Sequence, residues 1–385
     1  MKITNIEAIT FTYISKSVRD AEGHSHPGPD NEAYQSIVQI STDEGITGYS
    51  IIGAAVTSGI SFIPKPIRDA LIGEDPLNRE SIWQQLRKFQ RLYRSALPDR
   101  TLSAIDLALW DLAGKAANMP VYKLLGGFRD KVPAYASTMC GDDLHGGLNT
   151  PEAYADFAEI CVAKGFRAFK LHTWSPPYGR DIKRDIAACE AVRKRVGSKI
   201  DLMLDPYHDY SRTEAYYLGK ALQDLQFIWL EEPMNEASMS SYIWLTHELD
   251  IPILGPETAG GFFYTRAEWI INKASDISRF DESLGGLTAL MKCIHLCEAH
   301  GIEMEVHLNP NGGANGNLHA LGAMGIPGKY FELGLLHPLF DFDSAQPWLV
   351  KRPEVIDAEG YVEIPQKPGL GWEFDLEFIE RNTII

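Results

Sequence analysis

Seven ionisable residues recur at a steady interval through the later two-thirds of this 385-residue chain: Lys170, Asp205, Glu231, Glu257, Asp281, His307 and Glu332. Their successive spacings are 35, 26, 26, 24, 26 and 25 positions. Three of them are acids that close apolar runs: Leu202-Met203-Leu204-Asp205, Ile228-Trp229-Leu230-Glu231 and Ile253-Leu254-Gly255-Pro256-Glu257. Taken singly, each acid reads as a helix N-cap or a first-turn residue. Taken in phase, they read as carboxylates brought to one point. Such groups repel, and burying them unpaired is very costly. A hard divalent cation resolves the conflict, and an all-oxygen donor set favours Mg²⁺ over zinc or copper.

The remaining members carry proton-transfer chemistry. Lys170-Leu171-His172 ends an apolar strand, where alternation puts Lys170 and His172 on one face. His307 ends a strand five units further on, and Asp281 ends the strand before it. An isolated strand-end histidine is usually structural. One that has an in-phase aspartate to orient its ring, and a Lys-x-His opposite, reads as a general base.

These residues need elements that hold them at one height. Short β-rich runs alternate with helical patterns: Val132–Ser137, Ala168–His172, Leu202–Asp205, Phe227–Glu231, Ile253–Glu257, Ile277–Asp281, Met304–His307 and Tyr330–Glu332. The helix predicted over Asp181–Val196 places Ile182, Ile186, Cys189, Val192 and Val196 on one face and stops at Gly197. Eight strands with helical crossovers predict a closed parallel α/β barrel whose chemistry gathers at the carboxyl ends of its strands. Before it, Lys2–Tyr13 and Gln35–Ile52 predict an antiparallel sheet, broken by the turn Asp43-Glu44-Gly45. The polar Gly/Pro-rich segment Ser15–Asn31 between them reads as a surface loop or a functional lid, offering Arg19, His24 and His26 to substrate hydroxyls. Gly53-Ala54-Ala55 reads as a second, small-residue loop, and the amide-rich Asn309–Asn315 as either a polyol contact, led by Asn309, or a set of turns. The domain boundary falls near Gly126-Gly127.

Composition narrows the class. Hydrophobic residues at 45% and charged residues at 23% describe an ordinary globular protein and exclude disordered and fibrous classes. A net charge of −16 argues against nucleic acid and anionic membranes as partners. The start lacks a signal-peptide core and no apolar run is long enough to span a bilayer, so a cytoplasmic location is expected. The five cysteines form no metal-like spacing and read as apolar packing. A zinc amidohydrolase barrel would need His-x-His on its first strand, and Val132–Ser137 has none. A non-catalytic binding or structural protein would not need the Asp281–His307 pair.

The ordered strand-end residues resemble the mandelate racemase branch of the enolase superfamily. The similarity extends over nearly the whole chain, with Asp43–Gly48, Ala104–Asp111, Glu231-Glu232-Pro233, Gly285-Gly286 and Pro368-Gly369-Leu370-Gly371. It implies a (β/α)₇β modified TIM barrel under an N-terminal α+β cap completed by C-terminal residues. The corresponding divisions are 1–126 for the cap, 127–364 for the barrel and 365–385 for the returning segment. It implies Mg²⁺ held by Asp205, Glu231 and Glu257, a small carboxylate substrate chelated to it, and proton abstraction beside that carboxylate to give a metal-stabilised enediolate. Lys170 would add positive charge, and Glu332, if protonated, would hydrogen-bond the substrate carboxylate. A homo-oligomer, dimer to octamer, is also implied. The family commonly carries Lys-x-Lys where this chain has Lys170-Leu171-His172, so two imidazoles would flank the α-carbon. That arrangement suits dehydration of an aldonic or aldaric acid to a 2-keto-3-deoxy acid, with racemisation or epimerisation as the alternative.

Overall fold

The computed structural model describes all residues except 22, 53–62, 94–96, 175–178, 309–314, 327 and 385. Three antiparallel strands come first: β1 (Ile3–Arg19), β2 (Ser25–Thr42) and β3 (Thr47–Ile52), in the order β1-β2-β3. The segment Ser15–Asn31 is therefore not a loop. It is the outer half of a long β1–β2 hairpin, with Ser15 opposite Asn31, Val18 opposite His26 and Arg19 opposite Ser25. Pro27 and Pro29 are accommodated because a register shift between Ser15 and Ser17 relaxes the ladder there. Gly53-Ala54-Ala55 and Asn309 lie outside the described residues.

Helices α1 (Lys65–Leu71), α2 (Arg79–Tyr93), α3 (Asp99–Ala116) and α4 (Val121–Leu124) lead to the barrel. Its strands β4 (Lys131–Thr138), β5 (Ala168–His172), β6 (Asp201–Asp205), β7 (Trp229–Glu231), β8 (Ile253–Leu254), β9 (Ile277–Phe280), β10 (Glu303–Val306) and β11 (Phe331–Leu336) lie in chain order. Parallel pairing of β11 with β4 closes the ring. The crossovers are α5 (Pro151–Ala163), α6 (Ile182–Val196), α7 (Arg212–Asp224), α8 (Met239–Glu248), α9 (Phe263–Ile271), α10 (Gly286–His300) and α11 (Asn315–Ala323), so the fold is a (β/α)₇β barrel. β12 (Tyr361–Glu363) runs antiparallel to β4, and α12 (Leu376–Asn382) returns to the cap. No helix among the described residues is long and apolar enough to cross a membrane.

Local chemistry sets the helix ends. Asp181 caps α6 by accepting the Lys183 and Arg184 amides at 2.9 and 3.4 Å, and Gly197 ends it at φ 75°. Ser211 and Glu214 form a reciprocal capping box on α7. β8 was expected to run to Glu257 but stops at Leu254, because Pro256 offers the ladder no N–H.

Alternation explains the barrel interior. Phe169, Leu171, Leu202, Leu204, Leu230 and Phe280 point outward into the main core beneath the helices. Their strand neighbours Ala168, Met203, Trp229, Leu254 and Ile277 point inward, joined by Tyr135 and Tyr330 as an apolar floor. Inward positions further along the same strands are polar, and there the site is built. All five cysteines are buried.

The cap is fixed to the barrel by buried α3. Asp106 accepts the Thr288 amide at 2.9 Å and its hydroxyl at 2.6 Å near the start of α10. A Cβ at Gly286 would come within 2.3 Å of that Asp106 carboxylate, so the approach needs glycine. Gly48 plays the same part on β3, where a Cβ would meet the Ala108 carbonyl at 2.1 Å. Asp111 accepts the Tyr49 and Leu370 amides, each at 2.8 Å, tying the C-terminal segment to the sheet. Phe11, Ile37, Ile51, Trp348, Leu349 and Ile379 close a second core between that segment and the sheet.

Candidate active site

At the carboxyl ends of the strands the interior becomes ionic. Lys170, fully buried, places its ammonium 3.0 Å from Glu231, 2.8 Å from Glu332 and 3.8 Å from Asp205. Burial alone would favour a neutral amine, but the Glu231 and Glu332 carboxylates hold Lys170 charged well above its ordinary range. Arg279, inward on β9, lies 2.6 Å from Glu231, 2.7 Å from Glu332 and 3.2 Å from Glu257. The carboxyl groups of Asp205, Glu231, Glu257 and Glu332 thus surround two permanent cations in a buried layer.

Such a surplus of carboxyl groups suits a divalent cation, and the donors are all oxygen. Carboxylate oxygens of Glu231, Glu232 and Glu257 lie within 4.8 Å of one another. Asp205 stands beside this group, its Oδ2 3.0 Å from His172 Nε2 and its Oδ1 accepting the Tyr207 amide at 2.9 Å. His172 and Lys170 outweigh burial and hold Asp205 well below the usual carboxylate range. Burial pushes Glu231 up, and it pushes Glu232 further, because Glu257, Glu236, Asp205 and Glu231 add like charge around it.

The two imidazoles are held differently. His307 Nδ1 lies 2.7 Å from Asp281 Oδ2, and Nε2 lies 3.1 Å from Glu257. Burial favours a neutral His307 ring, yet the Glu257 and Asp281 carboxylates prevail and raise its pKa. His172 Nδ1 lies 2.6 Å from the Thr138 backbone carbonyl, so this nitrogen carries the hydrogen and donates it. Tyr207 stacks on the His172 ring with centroids 4.7 Å apart and 28° between planes.

The resemblance gives Glu332 a donor's role toward the substrate if it is protonated; here Lys170 and Arg279 outweigh its burial and lower its pKa well below the usual carboxylate range. In the structure it accepts, taking the Leu308 amide at 3.0 Å. Of the hairpin residues, His24 reaches the barrel rim, where its ring lies 4.3 Å from that of Tyr207. His26 and Arg19 brace the hairpin turn instead. Buried His26 sits 3.0 Å from Asp20, and Arg19 donates to the Gly23 carbonyl at 3.0 Å.

Several residues escaped the sequence reading. Arg279 has the same strand parity as Ile277 and Asp281, which was the available signal. Ser137, inward one step above Tyr135, has a buried hydroxyl without a hydrogen-bond partner among the described residues. Glu236 and Arg266 carried no signal, being distant in sequence from what they hold. Glu236 accepts the amides of Glu257, Thr258 (2.8 Å) and Ala259 (2.6 Å). Fully buried Arg266 donates to the carbonyls of Pro256 at 2.9 Å, Glu257 at 2.6 Å and Ala259 at 2.6 Å. The segment carrying Glu257 is thereby gripped on both its donors and its acceptors.

Residues 27–126 match the mandelate racemase / muconate lactonizing enzyme N-terminal domain, and residues 153–378 match the enolase C-terminal domain-like family. The chain is 45% identical to the solved structure of D-glucarate dehydratase from Agrobacterium tumefaciens complexed with magnesium, covering 100% of this chain and 99% of that one, with a TM-score of 0.94. It is 31% identical to L-talarate/galactarate dehydratase of Salmonella typhimurium, over 78% of this chain and 76% of the relative. It is 29% identical to arabinonate dehydratase of Saccharolobus solfataricus, over 87% and 86%. Other relatives are named as cycloisomerases, epimerases or racemases.

Proposed function

Because the chain belongs to the mandelate racemase/muconate lactonizing enzyme family of the enolase superfamily, we propose that it is a cytoplasmic Mg²⁺-dependent dehydratase of an aldonic or aldaric acid. The observation that carries this is the Asp281–His307 pair set against a buried cluster in which carboxyl groups outnumber the permanent cations. Asp205, Glu231 and Glu257 would hold the cation, with Glu232 beside them. When bound, it supplies positive charge against the negative charge that builds on the substrate carboxylate.

The chain's own groups account for the proton traffic. Lys170 holds its ammonium beside the same carboxylate. Asp281 fixes the Nδ1 hydrogen of His307, and Nε2, which faces Glu257 at 3.1 Å here, is the nitrogen that would take the α-proton once Glu257 is committed to the cation. The β-hydroxyl then leaves with a proton from an imidazole as water, and the resulting enol gains a proton at C3 and gives up the proton of its C2 hydroxyl to become the 2-keto-3-deoxy acid. Racemisation or epimerisation is the second reading, favoured by His172 as a second imidazole beside Asp205.

A panel of aldonic and aldaric acids assayed with semicarbazide for keto-acid release tests the assignment. Turnover is expected with Mg²⁺ and lost with EDTA, and full turnover after chelation would overturn the metal dependence. Glu231→Gln is expected to weaken Mn²⁺ binding, read by direct titration, with the far-UV spectrum unchanged. Exchange of an α-deuteron into recovered substrate without keto acid would select the racemase reading.

A further inference from the structure

The His172 ring is held by three contacts. Its Nδ1 meets the Thr138 carbonyl at 2.6 Å, its Nε2 meets Asp205 at 3.0 Å, and its face meets Tyr207. A cation drawing on Asp205 competes for the second contact. One hydrogen bond then fixes one end of the ring, and the aromatic face must set its plane. Tyr207 is suited to this. Its own amide is anchored on Asp205 Oδ1, its backbone is held in the left-handed region at φ 52°, and its side chain is half-buried.

The same Tyr207 ring is met from the cap. His24, in the β1–β2 turn, lies 4.3 Å from it at 48°. That turn is braced by a single carboxylate: Asp20 accepts the His24 amide at 3.0 Å and lies 3.3 Å from His24 Nδ1 and 3.0 Å from His26 Nε2. Three rings in series therefore join His24 of the hairpin to an imidazole in the barrel. We propose that Tyr207 is a positioning residue that transmits the seating of the cap hairpin to the plane of His172. The hairpin thereby sets substrate choice through the geometry of a reacting group as well as by closing over the rim. This rests on the placement of His172 at the reacting centre.

The test uses Mg²⁺-loaded protein with ¹⁵N-labelled histidines. His24→Ala should shift the His172 ring resonances in the parent and leave them unmoved in a Tyr207→Leu background. Equal shifts in both backgrounds, or none in the parent, overturn the proposal. In turnover, Tyr207→Leu should lower kcat by about 10- to 100-fold, the usual effect of a misplaced reacting group. Tyr207→Phe, which keeps the ring face, should recover kcat to within about threefold of the parent. Mn²⁺ affinity should be unchanged in both, since the contact to Asp205 is made by backbone. The His24→Ala and Tyr207→Leu losses should be non-additive, whereas additive losses confined to KM would make His24 a plain substrate contact and refute the relay. If no acid sugar yields a keto acid, the dehydratase assignment fails while the ring resonances still decide the role of Tyr207.

Discussion

The two histidines differ in what holds Nδ1. The Glu257 and Asp281 carboxylates stabilise the imidazolium of His307 and raise its pKa, which suits that ring as the proton acceptor. His307→Asn is expected to lower kcat by at least about 10²-fold, the range for losing a positioned base. His172→Asn should be comparably damaging to dehydration. With an α-deuterated substrate in H₂O, the His172 variant should still exchange deuterium while forming no keto acid. Exchange retained by the His307 variant and lost by the His172 variant would reverse the roles. Lys170 and Arg279 bear on Glu332 in the same way: two cations at 2.8 and 2.7 Å favour its carboxylate form.

Among the elements, the segment after β8 shows how a loop residue is made rigid. Glu236 holds three successive amides there and Arg266 three carbonyls, so Glu257 projects from a backbone with little freedom. Glu236→Ala would leave those amides without their carboxylate acceptor in a partly buried place. Mn²⁺ affinity is expected to fall about 10- to 100-fold, as when the groups orienting a metal ligand are removed. Titration of the variant with Mn²⁺ checks this, and unchanged affinity would show that Glu257 needs no such support. The strands, their order and their inward acids were legible in the sequence, because alternation and a repeat near 25 residues are local signals. Arg279 sat in that pattern at the parity of Asp281, but a cation inside a barrel is intelligible only once Glu231 and Glu332 are seen around it. The hairpin over Ser15–Asn31 was hidden by its Pro and Gly, whose turn propensity is overridden by pairing with a partner strand. Glu236 and Arg266 are legible only in three dimensions.

At the scale of the molecule, cap and barrel meet in a buried contact that is sensitive to acid. His319 in α11 accepts the Tyr122 amide of α4 at 3.0 Å, and burial pushes its pKa down to about 4. Protons therefore bind the unfolded ring first, from its ordinary value near 6.5 downward. The stabilisation is complete above that value and lost as pH falls through about 4, a change of up to about 3 kcal/mol. His319→Asn keeps an acceptor and cannot titrate, so its urea-unfolding stability should fall less than the parent's between pH 6.5 and 4. Parallel losses would remove His319 from the acid response. The cap has another long-range dependence, in the bridge from Phe11 to Thr383 and the Ile384 amide on the Thr10 carbonyl. The outer edge of β1, near the start of the chain, is covered by residues at its far end. A ribosome adds about 5–20 residues per second, so the sheet made first waits tens of seconds for its last partner. Throughout that interval the edge of β1 lacks the partner that covers it in the folded protein, which leaves it open to pairing with other strands.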